Sequence, residues 1–181
     1  MGSVRYDHGE RYQDVNVAGT TVLLESARRA GIKRFIFAGS SSVYGNNPKT
    51  PFHEDDPVDR PVSPYAASKK AGEVVCHAFH HLHHNPVTCL RFFTVYGPRQ
   101  RPEMAIHQFA RHIVHGTGLP FFGDGSSRRD YTYVSDIVGG IVGALDHPRG
   151  FDVYNLGRGE PVLMADFVQI LEKLIGRSAV I

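Results

Sequence analysis

An α/β fold built on a parallel sheet is what the amino-acid sequence predicts, on three observations. A helix-patterned segment ends at Gly31 and runs at once into an apolar strand, Lys33 to Gly39. A second helical pattern, Tyr65 to His84, is broken by Asn85-Pro86, and a second apolar strand, Val87 to Phe93, follows directly. Both strands are apolar through their middles, as strands covered on two faces are, and short strand-helix-strand joints call for right-handed crossovers.

In chain order, the first helix spans Tyr12 to Ala30, with apolar Val17, Leu24 and Ala27 between good helix formers. The stretch from Gly45 to Pro64 has five prolines and no period, so it is loop. In the next helix Ala71, Val75, Ala78, Phe79 and Leu82 form the expected core stripe. Further on, the pattern predicts a helix over Glu103 to His115, then short strands at Leu119 to Gly123 and Arg129 to Tyr133 around a Gly-Asp-Gly turn. An apolar helix from Val134 to His147, a strand from Val153 to Leu156 and a helix from Ala165 to Ile175, stopped by Gly176, complete the reading.

The chemistry concentrates where the first strand ends. That strand delivers Ser40, Ser41 and Ser42, and Tyr65 and Lys69 follow on the next helix, four residues and thus one turn apart. A hydroxyl at a strand's carboxyl end is where open α/β sheets place ligand chemistry. The constellation predicts a proton-transfer site: Tyr65 as acid/base, Lys69 holding the phenol's pKa below the ordinary value of about 10, and Ser40 hydrogen-bonding the substrate oxygen.

Composition sets the bounds. With 181 residues, 41% of them hydrophobic and 21% charged, the chain can bury a core. A formal charge of +2 is too small, and the basic residues too scattered, to suggest a nucleic-acid footprint, so no nucleic-acid partner is expected. No apolar run approaches the roughly 20 residues that span a bilayer, and MGSVRYDHGER has no signal-like apolar region, so a cytoplasmic location is expected. Cys76 and Cys89 read as reduced packing residues. His77, His80, His81 and His84 share a helical face, but no carboxylate or cysteine completes a shell. The expectation is therefore no metal, with these histidines on a solvated or subunit-facing surface.

SSSVYG, then YAASK, LRFFTVYGP and RRDYTYVSDIV, in that order, resemble the extended short-chain dehydrogenase/reductases of the NAD-dependent epimerase/dehydratase family. RPEMA at Arg101 to Ala105 is similar to the RPDMA signature of UDP-glucuronate 4-epimerases. The resemblance implies a partial Rossmann-like doubly wound parallel sheet lacking its N-terminal strands, plus part of a small C-terminal α/β substrate domain. Residues 1–96 would be the remnant of the NAD-binding domain, and 97–181 mainly substrate-binding segments with returning Rossmann elements. It implies NAD as cofactor, contacted by Asn16, Tyr65, Lys69 and Phe93, and a UDP-sugar substrate contacted by Ser41, Ser42, Thr94, Arg101, Phe122 and Arg129. Related dehydratases carry an Asp-Glu pair, and related decarboxylases a Glu, where this chain has Ser41 and Ser42, which favours epimerisation. The family's glycine-rich turn for the dinucleotide pyrophosphate does not occur here, so the chain reads as a fragment. Two alternatives stand beside the epimerase: an inactive remnant that binds a sugar nucleotide or dimerises, and a related decarboxylase or dehydratase. A homodimer through the helices at 13–30 and 65–84 is expected.

Overall fold

The computed structural model describes residues 9–121 and 123–181. They form two compact units, the first made of the described residues up to Phe93 with Ser135–Leu156, the second of Thr94–Val134 with Gly157–Ile181.

The first unit is built on a three-stranded parallel sheet, β1 (Phe35–Ala38), β2 (Val87–Phe92) and β6 (Phe151–Leu156), in the order β1-β2-β6. Phe35 pairs with Val87 and Val87 with Phe151, so the strands start in step and their carboxyl ends share one edge. The first helix begins as α1 (Gly9–Gln13), passes through a π-helical turn at Asp14–Ala18 and continues as α2 (Gly19–Arg29). Ser40 caps a 3₁₀ turn, Ser41–Tyr44. The long helix α3 (Pro64–His83) starts under a Ser63 cap with proline at its first position and stops at left-handed His84.

Leu24 of α2, Cys76 and Phe79 of α3, Phe37 of β1, and Val87 and Cys89 of β2 make one apolar cluster, with Phe151 and Val153 packed against it. That places α2 and α3 on the same face of the sheet. The seam of α3 is not the expected one: Leu82 is 70% exposed and Ala78 is also at the surface, while Ala66, Ser68, Gly72, Glu73, Cys76 and Phe79 are buried. The expectation counted apolar residues alone, but the helix approaches β1 through Gly72, where a Cβ would lie 2.3 Å from the Phe37 ring. A side chain there would force the helix outward.

α5 (Val134–Asp146) lies on the other face, since its Gly140 meets Leu156, whose side chain alternates with those of Phe151 and Val153. The β1–α3–β2 and β2–α5–β6 connections thus use opposite faces while stepping in the same direction, so they have opposite hands. The right-handed crossover expected from the sequence concerns the short joints around α3, and the β2–α5–β6 route is a longer one. The rule applies to a helix that packs straight back on its strand, whereas here the chain traverses a second unit before α5. Cys76 and Cys89 are free, buried thiols, and the neighbouring Cys76 thiol together with burial pushes that of Cys89 well up. His77 and His80 lie against Phe151, with ring centroids 4.8 and 6.2 Å away, rather than on a wholly solvated face.

The second unit holds β3 (Thr94–Tyr96) parallel to β5 (Tyr131–Tyr133), and β4 (Arg128–Arg129) antiparallel to β7 (Val162–Leu163). Its core joins Phe109 and Ile113 of α4 (Ala105–His115) to Phe167, Val168 and Leu171 of α6 (Met164–Ile175), with Leu119 and Tyr131. The expected strand at Leu119 to Gly123 does not form among the described residues; Leu119 instead donates to the Val180 carbonyl, and β4 finds its partner in β7. Among the described residues no helix is long and apolar enough to cross a membrane.

Candidate active site

The first unit converges on the carboxyl end of β1. Gly39 follows the strand at a point where a Cβ would lie 2.9 Å from the Leu90 carbonyl oxygen, so only glycine lets β1 and β2 run this close before the chain turns away. Ser40 is extended, at φ −157° and ψ 140°, and its Oγ accepts from the Ser42 amide at 3.2 Å while lying 2.9 Å from Ser42 Oγ. The first and third serines therefore form one hydroxyl pair, with hydrogen-bonding capacity left for a ligand oxygen.

Lys69 reaches back from α3 to the same strand end. Its Nζ donates to the Ala38 carbonyl at 3.0 Å and sits 5.9 Å from the centroid of the Tyr65 ring and 5.5 Å from that of Phe37. Burial holds the Lys69 pKa below its ordinary value. The ammonium thus sits near the phenol ring, as the i, i+4 spacing requires. Tyr65 also pairs with Tyr12 in an edge-type arrangement, ring centroids 5.4 Å apart and planes inclined by 69°. The Asn16 side-chain amide donates to Ser68 Oγ at 2.9 Å, and Ser68 Oγ donates to the Tyr65 carbonyl at 2.8 Å. Asn16 lies inside the π-helical turn, a feature that often marks functional sites and that apolar spacing cannot reveal. Phe93 packs against the Val43, Tyr44 and Val58 cluster.

Thr94, Arg101 and Arg129 belong to the second unit. Thr94 opens β3 and donates its amide to the Asp130 carbonyl at 3.0 Å. Arg101 is exposed and paired with Glu103 at 3.3 Å; Arg129 is exposed and donates to the Arg128 carbonyl at 2.7 Å. Asp130, next to Arg129, is buried and accepts from the Arg158 and Gly159 amides at 2.9 and 2.8 Å, which ties the chain after β6 to β5. Phe122 lies outside the described residues. Among the described residues no group of three or more His, Cys, Asp or Glu side chains is arranged to hold a metal ion.

Residue patterns missed the polar centre behind the serine turn: Tyr44, Glu54, Glu73, Arg91 and Asn155. One signal was available. Arg91 sits inside an apolar strand run, VTCLRFF, and an arginine there must find a carboxylate. It finds Glu73, with Nε to Oε1 at 2.8 Å and Nη2 to Oε2 at 3.0 Å.

Comparison with known proteins gives this geometry a lineage. A family model described as the NAD dependent epimerase/dehydratase family matches residues 2–157. The chain belongs to that family. It is 44% identical over 170 residues to a UDP-glucuronate 4-epimerase of Thermodesulfobacterium geofontis, covering 93% of this chain and 52% of that protein. The UDP-glucuronic acid 4-epimerase of Bacillus cereus, solved with UDP-glucuronic acid and NAD, superposes with a TM-score of 0.84 at 40% identity, over 91% of this chain and 52% of the other. A dTDP-glucose 4,6-dehydratase of Streptomyces venezuelae, solved with NAD, gives a TM-score of 0.90 at 31% identity, over 97% and 54%. The chain spans about half the length of the curated relatives it matches, 52% for the first two. Since the dehydratase superposes as well as the epimerase, backbone likeness alone does not separate the two reactions.

Proposed function

We propose that this chain carries the catalytic residues of an NAD-dependent nucleotide-sugar epimerase acting at C4 of a UDP-hexuronic acid, UDP-glucuronate or UDP-galacturonate. The observation that carries the reading is the Lys69 ammonium beside the Tyr65 ring at the strand end that presents the Ser40–Ser42 hydroxyl pair.

In this reading Tyr65, as phenolate, accepts the proton of the sugar 4-hydroxyl and later returns it. Lys69 favours the phenolate by charge, and Ser40 holds the oxygen that changes between hydroxyl and carbonyl. When bound, NAD supplies the acceptor that takes hydride from C4 and gives it back to the opposite face. The donor set fits its nicotinamide end, because an ammonium has three protons and the Ala38 carbonyl accepts one of them. Asn16, Tyr65, Lys69 and Phe93 are the residues proposed to hold that end. Ser41 and Ser42 cannot supply the acid or base that elimination requires, which sets the reading apart from a dehydratase despite the shared backbone. Ser41, Ser42 and Thr94 are proposed to hydrogen-bond the sugar and its carboxylate, and Phe122 to lie against uracil. Arg101 and Arg129 are proposed for the carboxylate or diphosphate, whose geometry suits a guanidinium fork.

Incubating the chain with NAD and UDP-glucuronate and following UDP-galacturonate by nuclear magnetic resonance tests the proposal. Tyr65→Phe is expected to lower turnover by roughly 10²–10⁴-fold. Unchanged turnover in that variant removes the base, and a 4-keto-6-deoxy product or released carbon dioxide replaces the reaction class. Binding of UDP without turnover in the unaltered chain supports the inactive remnant instead.

The proposal extends to a homodimer through α2 and α3. Val22 and Leu23 of α2 and Val74 and Leu82 of α3 are 64%, 60%, 55% and 70% exposed, apolar groups that a second copy would cover. Leu82→Glu should then yield a monomer by light scattering, and a monomer before mutation defeats this assignment. The proposed location is the cytosol, a reading supported by the two free buried thiols, which suit a reducing compartment, and checked by cell fractionation.

A further inference from the structure

Three elements of the first unit meet at one buried guanidinium. Arg91 of β2 is 2% exposed and uses its donors in two directions. Nε and Nη2 grip both oxygens of Glu73 on α3, while Nη1 reaches the Tyr44 hydroxyl at 2.8 Å and the Glu54 carbonyl at 3.1 Å. The Tyr44 hydroxyl donates onward to Asn155 Oδ1 of β6 at 2.8 Å, and the Asn155 amide donates to Glu54 Oε1 at 2.7 Å. Burial works against the Arg91 charge, but the Glu73 carboxylate and Tyr44 hydroxyl outweigh it and hold its pKa above the ordinary value.

Burying such an ion pair seldom adds stability over an apolar pair of similar volume, so its effect lies in what it orients. The two ends are informative. Glu73 is one helical turn beyond Lys69 and two beyond Tyr65, and Tyr44 closes the turn that Ser40 caps. One planar, non-titrating group is thereby bonded both to the helix carrying the acid/base pair and to the turn carrying the serines.

We propose that Arg91 and Glu73, acting through the Tyr44 hydroxyl, are positioning residues that hold the Ser40–Ser42 turn in register with Tyr65 and Lys69 for proton transfer. The inference rests on the acid/base reading of Tyr65 given above. Arg91 itself moves no proton; it fixes a distance.

Tyr44→Phe is the informative variant, because it keeps the ring stacked on Phe52, 4.6 Å away, and deletes only the hydroxyl. Two readouts are needed. Hydrogen exchange at the Ser42 and Val43 amides, which donate to Ser40, should quicken roughly tenfold while the α3 amides stay protected, as a local opening does. Turnover should fall roughly ten- to a hundredfold with KM unchanged, since a displacement of about 1 Å at reacting groups costs that order. Glu73→Gln should shift both in the same sense; if it does not fold, Tyr44→Phe decides alone. Unaltered exchange in the turn overturns the proposal, and so does unaltered turnover accompanied by faster exchange. Should the unaltered chain fail to epimerise UDP-glucuronate, the epimerase reading falls, and the exchange measurement still decides whether the clamp holds the turn.

Discussion

Two sets of arginines in this molecule do opposite work. In the first unit Arg91 is 2% exposed and bonded to Glu73 of α3, to Tyr44 of the serine turn and to the Glu54 carbonyl. In the second unit Arg101 and Arg129 are exposed, the former with a neighbouring carboxylate at 3.3 Å and the latter with an adjacent carbonyl at 2.7 Å. A buried charge has already exchanged water for protein partners, and disturbing one of them strands the other. An exposed charge can exchange its local partner for a ligand at little cost. Burial therefore separates an arginine committed to partners inside its own unit from arginines whose local partners can be exchanged, a distinction residue type alone does not make.

Mutation can break that contrast most forcefully at Arg91. Arg91→Met leaves the Glu73 carboxylate buried without its partner and should destabilise the chain by about 3–5 kcal/mol, read from denaturant unfolding. A loss below about 1 kcal/mol would mean that water or Lys70, 3.3 Å from Glu73, satisfies the carboxylate, and the contrast would collapse. Arg129→Ala sharpens it from the other side. The unfolding free energy should move by less than about 0.5 kcal/mol, as for other surface changes. Affinity for UDP, measured by calorimetry, should meanwhile weaken roughly tenfold from the loss of one charged hydrogen bond. The smallest effect concerns pH. The folded chain holds the Lys69 pKa below its ordinary value of 10.5, so between these two values the unfolded chain binds more protons, and the stability from this group rises with pH. Activity runs the other way, because the ammonium is lost. Its alkaline limb should fall below pH 10.5 and move upward in Lys69→Arg, which keeps its charge. An alkaline limb that does not move in that variant would detach Lys69 from the pH profile.

Much of the first unit is visible in its residue patterns because its signals are local. FIFAG leading into three serines, and a tyrosine four residues before a lysine, are short-range patterns that a strand end and one helical turn translate directly into geometry. The seam of α3 differs from the apolar stripe because Gly72 and Glu73 carry no apolar signal, yet they are buried beneath the helix. The partner of β4 was misread for a different reason. A two-residue strand has almost no period, and its pairing with β7 is set by the core that α4 and α6 form. The π-helical turn around Asn16 and the opposite faces used by α3 and α5 left no mark that spacing could carry.

Sequence alone determined the strand-helix-strand order of the first unit, the placing of Ser40 at a strand end with Tyr65 and Lys69 one helical turn apart, and the family, since each depends on residues within a turn or two of one another or on an ordered string of motifs. Only the tertiary structure decided that Tyr44 would touch Asn155, 111 positions away, and that Glu73 would close on Arg91 across 18. Hydrogen bonds between distant segments depend on how strands register and helices seat. Those are outcomes of packing the whole chain, and no window of neighbouring residues contains them.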